Sequence, residues 1–163
     1  MSSDAEIIVY AKKKIGRTNK ERFLPIMSSC YSDDIGGPLL PNFLREYPHP
    51  KRKWEPDEIN EITLDEIRAY VTASQIIAEM KDAIFPRERW YDLDLDNGEH
   101  KKLFAKICEL FYVVDDDMRN YLKAMSYKLE HIKRDLPFFE DILHQASIQE
   151  TLGEEIYITV EYV

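Results

Sequence analysis

An alternating aspartate pattern is the first feature of this sequence with the residue types of a metal site. The segment Asp92–Gly98 carries aspartate at every second position before an Asn-Gly turn, as calcium-binding loops do. Calcium-binding loops have glycine at position 6 and glutamate at position 12. Counted from Asp92 as position 1, this chain has Asn97 and Leu103 there, so it does not fit the loop pattern. A strand that buries Leu93 and Leu95 and exposes the aspartates explains the same spacing. We therefore predict a strand here and no bound metal.

The run Asp115, Asp116 and Asp117 is the densest negative charge in the chain. Neighbouring carboxylates raise one another's pKa, which acid–base catalysis uses. Successive residues of a helix point about 100° apart, so three in a row do not converge on one ion unless the helix breaks. Two interpretations remain, a solvated helix break and an acidic patch that faces a basic partner protein.

The histidines and possible nucleophiles do not form a recognisable catalytic set. His131 precedes Asp135 by four residues and Asp141 precedes His144 by three, so each pair shares a helix face if both are helical. A di-iron bundle needs two Glu-x-x-His helices and two more glutamates, which this chain does not supply. No Gly-x-Ser-x-Gly elbow surrounds the serines next to Cys30. A small metal-dependent hydrolase that uses His and Asp from the helices stays as an alternative hypothesis.

A basic segment at residues 12–22 is the last candidate for a binding site. Lys51–Trp54 adds basic residues beside an aromatic one. Cations of this kind neutralise phosphates, and aromatic rings stack on bases, so a nucleic-acid-associated accessory factor is a second alternative. The formal net charge of −9, from 31 acidic and 22 basic residues, opposes docking of a polyanion. The other interpretation is that these cations pair with acids of the same chain or of a partner. The basic residues of the segment are Lys12, Lys13, Lys14, Arg17, Lys20 and Arg22.

The elements that position these residues are helical in the middle of the chain. Thr63 and Glu66 form a capping box, which predicts a helix start, and Pro86 predicts its end. The acidic excess lies in this part of the chain, because residues 1–62 hold ten acids and ten bases. The helical half is therefore the acidic half.

Two further helices are predicted from apolar stripes of helical spacing. One begins near Glu99, and its apolar residues as far as Val114 are predicted to face the core. The same stripe continues in phase as far as Ile132. The aspartate run is the natural place for a break in it. The other follows Asp135 as its cap, with Pro137 in its first turn.

Strand patterns lie at the two ends of the chain. Residues 6–12 and 155–163 show the period-two pattern of strands. Residues 23–31 form a second extended piece, which Pro25 restricts to a sheet edge or to an irregular strand. A strand needs a partner, and the two ends are the best candidates for each other. The predicted fold is α+β, a small sheet formed by the N- and C-terminal strands packed against three to four central helices.

Turn residues dominate the long connection at about 32–62, apart from a short helix predicted at 42–47. Such a connection is either packed down by its aromatic side chains or functional, and the sequence leaves both open. We find no repeat and no boundary, which predicts a single globular domain over residues 1–163.

The function predicted from these observations is a non-enzymatic protein–protein interaction factor, such as an inhibitor, an immunity-type factor or an assembly component. With 44% hydrophobic residues, no apolar stretch long enough to span a bilayer and a polar N-terminus, we expect a cytoplasmic protein without membrane contact. The two cysteines make no disulfide framework, and no cofactor or metal is expected. The partner is another protein of unknown identity. The residues predicted to contact it are Asp115, Asp116, Asp117, Lys12, Lys13, Lys14 and Arg17.

Overall fold

The computed structural model describes residues 5–14, 16–17, 20–31, 43–44, 47, 60–85, 93–114, 116, 119 and 130–162. These residues form an α+β fold, as predicted. The strands are β1 (Ala5–Lys14), β2 (Glu21–Tyr31), β3 (Asn60–Ile62) and β4 (Glu155–Tyr162). The helices are α1 (Leu64–Ile84), α2 (Gly98–Phe111) and α3 (Glu130–Thr151), which lie between β3 and β4 in the chain.

The four strands form one antiparallel sheet in the order β2-β1-β4-β3. The two ends of the chain are neighbours at its centre, with Val9 opposite Ile158, which confirms the predicted pairing. Pro25 lies in the edge strand β2, where a missing N–H is tolerated, and Ile26 beside it is the extra residue of a bulge. The short strand β3 was not predicted, because it lies in a connection dominated by turn residues.

The core lies between one face of the sheet and the three helices. The sheet contributes alternate residues of β1 and β4, as the period-two pattern predicts, and the helices contribute their apolar stripes. Residues from all of these elements form one buried cluster. Its members include Ile7, Val9, Ile158, Val160, Ile67, Tyr70, Ile77, Leu103, Ile107, Phe111, Ile132, Phe139 and Ile142.

Three aromatic rings lie on the opposite face of the sheet. The ring centroids of Tyr10 and Phe23 are 6.3 Å apart, those of Tyr10 and Tyr157 are 6.2 Å apart, and those of Phe23 and Tyr157 are 5.2 Å apart. The rings belong to β1, β2 and β4, so these contacts join three neighbouring strands.

The capping box at the start of α1 is present as predicted. The Glu66 backbone N–H donates to Thr63 Oγ1 (3.2 Å), and the Thr63 backbone N–H donates to Glu66 Oε1 (3.0 Å). Since Thr63 follows β3 directly, the cap turns the chain from the sheet edge into the helix layer within one residue. The first turn of α1 therefore lies next to β4.

The prediction that the buried apolar stripe continues to Val114 is wrong beyond Phe111. Helix α2 ends there, because Tyr112 adopts a left-handed conformation (φ 56°) and the Val113 N–H donates to the Cys108 carbonyl at 3.0 Å. Val114 is consequently 65% exposed rather than inward.

The strand predicted over the alternating aspartates is also wrong for the part that the structure describes, residues 93–96. Asp94 Oδ1 accepts a hydrogen bond from the Asp96 N–H (2.9 Å), and Asn97 Oδ1 caps α2 by accepting from the Glu99 N–H (2.9 Å). These short polar side chains bond to nearby backbone and produce a turn instead of a strand. Leu93 and Leu95 still pack against the core, as the pattern predicted.

Helix α3 begins well before the predicted cap. It includes both Asp135 and Pro137, so the prediction of a helix that starts after Asp135 is wrong. Ile132 and Phe139 are buried on either side of the proline. Their packing compensates for the backbone hydrogen bond that a proline inside a helix removes.

Part of the long connection is packed into the core. Phe43 and Leu44 are helical and fully buried, and the Tyr47 N–H donates to the Phe43 carbonyl at 2.9 Å. These residues agree with the short helix predicted at 42–47, and the rest of the connection before Asn60 lies outside the described residues. Of the helices that the structure describes, none is both long and apolar enough to cross a membrane.

Candidate functional site

The predicted acidic contact residues are described only in part. Asp116 is exposed, and Asp115 and Asp117 lie outside the described residues. The aspartate run therefore stays a prediction.

Two lysines of the basic segment, Lys12 and Lys13, pair with acids of the same chain. Lys12 Nζ lies 3.3 Å from Glu21 Oε1 and 3.9 Å from Glu155 Oε2, and Lys13 Nζ lies 3.5 Å from Glu154 Oε1. Internal charge matching, one of the two interpretations of this segment, accounts for these two residues.

The other predicted basic contacts lie nearer the turn between β1 and β2. Arg17 is exposed in that turn. Lys14 ends β1, and its side chain lies outside the described residues. The segment thus presents Arg17 to solvent while its first two lysines are held by glutamates.

The histidines do not gather into a metal site in the part of the chain that the structure describes, where no group of three or more potential ligands lies together. His100 Nδ1 accepts a hydrogen bond from the Asp94 N–H (2.7 Å), and its ring lies 4.4 Å from that of Phe85. His144 is exposed, while His49 and the side chain of His131 lie outside the described residues. The described contacts of His100 are those of a residue that fixes a turn.

One concavity of the described structure is a cleft of about 690 Å³ where the sheet meets α1 and α3. Strand β3 ends at Ile62, opposite Ile158, and the chain then leaves the sheet at Thr63. Among the described strands, Glu155–Tyr157 of β4 therefore pairs with β1 alone. The lining residues are Glu61, Ile62, Thr63, Leu64, Arg68, Leu143, Ala146, Ser147, Glu150, Glu154, Glu155, Ile156, Tyr157 and Ile158.

The backbone of β4 is itself part of the cleft wall. Alternate residues of a strand direct their N–H and C=O groups to opposite neighbours. Within Glu155–Tyr157, at least one residue therefore directs its backbone groups away from β1 and into the cleft. Among the residues that the structure describes, this stretch is an open sheet edge, a surface to which another strand can pair.

Apolar side chains from three elements line the cleft next to this edge. Leu64 comes from the first turn of α1, Leu143 and Ala146 come from α3, and Ile156 comes from β4. Ala146 is buried, and the other three are partly buried against the core. The cleft thus offers apolar contacts as well as backbone hydrogen bonds.

The charges of the cleft are strongly acidic. Glu61, Glu150, Glu154 and Glu155 line it, and Arg68 is the one basic residue among the described lining residues. Glu150 lies in the last turn of α3, which contains no basic residue, although the negative end of a helix dipole favours cations. The fold therefore holds like charges together at a place where the field of the helix opposes them.

The sequence analysis did not identify these glutamates. Three acids within residues 150–155, at the end of a predicted helix, were a usable signal because cations are expected there. Their relation to Glu61 and to the sheet edge was not visible without the register of β3 on β4.

Comparison with known proteins does not identify the chain. No known protein family, curated protein or solved structure matches it. The function proposed below rests on the residues and the geometry alone.

Proposed function

We propose that this chain is a non-enzymatic protein–protein interaction factor that binds an extended segment of another protein in the cleft beside β4. The observation that carries the proposal is the edge at Glu155–Tyr157, which is open among the described strands and borders a cleft of about 690 Å³. An extended peptide that adds to a sheet edge gains main-chain hydrogen bonds, and nearby pockets for its side chains supply specificity.

The dimensions of the cleft suit a short strand. Three residues at about 3.3 Å each give an open edge about 10 Å long, which pairs with three or four residues of a partner. The volume lies within the range of about 300–1,000 Å³ that is usual for ligand sites. A segment placed there would lie beside β4 in line with β3.

The opposite edge of the sheet is less suited to the same interaction. Strand β2 carries Pro25 and the bulge at Ile26, two features that keep edge strands from pairing with other chains. This contrast supports the edge of β4 as the place where a partner strand adds.

The two alternative functions gain no support from the described residues. The hydrolase alternative needs a cluster of ligands, and none is present in the ranges that the structure describes. The nucleic-acid alternative relies on the cations of the basic segment, of which Lys12 and Lys13 are paired with glutamates while Arg17 is exposed.

Filling the cleft should weaken peptide binding. Ser147 is exposed on α3 and lines the cleft, so Ser147→Trp places a large side chain there without removing a core contact. Steric exclusion of about 1–3 kcal/mol weakens binding about fivefold to more than a hundredfold. The measurement is selection of a displayed library of random peptides against the wild-type protein, followed by affinity determination of the enriched peptides on both proteins.

Two matched variants control this experiment. His144→Trp adds the same side chain at an exposed position of α3 that does not line the cleft, and Ser147→Ala removes the hydroxyl without filling space. Both should keep wild-type affinity. Enriched peptides that bind Ser147→Trp as tightly as wild type would show that the cleft is not the binding site.

A further inference from the structure

The acids of the cleft lie on both sides of the position that an added strand would take. Side chains of β4 alternate, so Glu155 lies on the sheet face away from the helices, and Glu61, opposite Thr159, lies on that same face. Glu150 and Glu154 approach from the end of α3. A strand in the cleft would therefore meet carboxylates on both of its faces.

The positive charge near the cleft does not balance these acids. Arg68 Nη1 lies 3.0 Å from Asp65 Oδ1, so the basic residue of the lining is already paired with an acid outside it. Within the described residues, Glu61 and Glu150 make no ion pair. Two of the four lining carboxylates thus have no cation among the described residues.

The carboxylate of Glu154 is also incompletely compensated. Its Oε1 atom lies near Lys13 Nζ, but its buried Oε2 atom accepts no hydrogen bond in the described part of the chain. A buried carboxylate oxygen without a donor is unfavourable, so the contact with Lys13 compensates the charge of Glu154 only in part.

From these charges we infer that the segment bound by the cleft is basic, with lysine or arginine alternating with apolar residues. This inference rests on the proposed function and adds the chemistry of the partner. The alternation follows from the period of a strand, because the cationic side chains meet Glu61 and Glu155 while the others meet Leu64, Leu143 and Ile156. Complementary charge also speeds the encounter of the two proteins.

Three defined hexapeptides test the inference. We compare the acetylated and amidated repeat of Lys-Val with the corresponding Gln-Val and Glu-Val repeats by isothermal titration. The Lys-Val peptide should bind tightest, the Gln-Val peptide about 2- to 20-fold more weakly, as expected for two exposed ion pairs, and the Glu-Val peptide most weakly. Raising the salt concentration should weaken only the Lys-Val complex.

Replacing lining glutamates by glutamine tests whether the preference for the Lys-Val peptide arises in the cleft. Glu61→Gln combined with Glu155→Gln should remove most of the advantage of the Lys-Val peptide over the Gln-Val peptide and leave the affinity of the Gln-Val peptide unchanged. The matched control is Glu140→Gln, which removes one charge from an exposed position of α3 outside the cleft. This control should not alter the ratio of the two affinities.

The contrary outcomes separate the inference from the proposed function. Equal affinity of the three hexapeptides, or enrichment of non-basic library peptides that Ser147→Trp excludes, would overturn the inference and leave the proposed function standing. Failure of every library peptide and hexapeptide to bind would overturn both. A dimer in solution that Ser147→Trp dissociates would place a second copy of the chain in the cleft and would also overturn the inference.

Discussion

Removal of residues 156–163 will leave a chain without a cooperative unfolding transition. Strand β4 pairs with β1 along its length and with β3 at Ile158–Val160, so its loss removes the centre of the sheet. Ile158 and Val160 are fully buried, and each such side chain contributes about 1.5–3 kcal/mol against a total stability of about 5–15 kcal/mol. Thermal unfolding followed by circular dichroism checks this expectation.

A point substitution provides the graded form of the same test. Ile158 is 1% exposed, and Ile158→Ala should lower the free energy of unfolding by about 2–5 kcal/mol. The control Leu152→Ala, at a residue 65% exposed, should change it by less than about 0.5 kcal/mol. A truncated protein with an unchanged melting temperature would show that the C-terminal strand is peripheral.

Phe43→Ala should lower the free energy of unfolding by about 3–5 kcal/mol, the usual range for a buried phenylalanine. Phe43 is 2% exposed, and its ring centroid lies 5.4 Å from that of Tyr70 and 6.1 Å from that of Phe111. This side chain therefore attaches the long connection between β2 and β3 to helices α1 and α2. Urea denaturation of wild type and variant measures the difference.

The matched aromatic control is Phe23→Ala. Phe23 is 42% exposed and contacts only the rings of Tyr10 and Tyr157 among the described aromatic residues, so the loss of stability should be clearly smaller. Equal and small effects of both substitutions would mean that the connection is not anchored through Phe43.

Local patterns were sufficient to predict much of the fold. The alternating residues at the two chain ends require a partner strand, and the capping box at Thr63 defines a helix start through two hydrogen bonds made by neighbouring residues. Such features depend on residues close in sequence, so the sequence alone reveals them.

The errors occurred where local signals compete with packing or with each other. The aspartates around Asp94 alternate like a strand, but their side chains bond to the nearby backbone and form a turn. Pro137 normally marks a helix start, yet packing of Ile132 and Phe139 keeps α3 continuous across it. The register that places β3 on β4 follows from contacts between distant parts of the chain.

For the candidate site, the sequence showed charged residues but not how the fold brings them together. The excess of acids in the helical half was visible, and its internal pairing with Lys12 and Lys13 was one of the interpretations considered. The cleft was not predictable, since it depends on β3 ending opposite Ile158 and on the ends of two helices meeting there.

The central claim is that an extended segment of another protein pairs with β4 in the cleft. The most direct measurement is amide hydrogen exchange of the protein with and without the most enriched library peptide, resolved by residue with NMR. We expect slower exchange of at least one amide within Glu155–Tyr157, changed shifts at Glu61–Leu64, and no change in α2. Unchanged exchange at Glu155–Tyr157 under saturating peptide would contradict the claim.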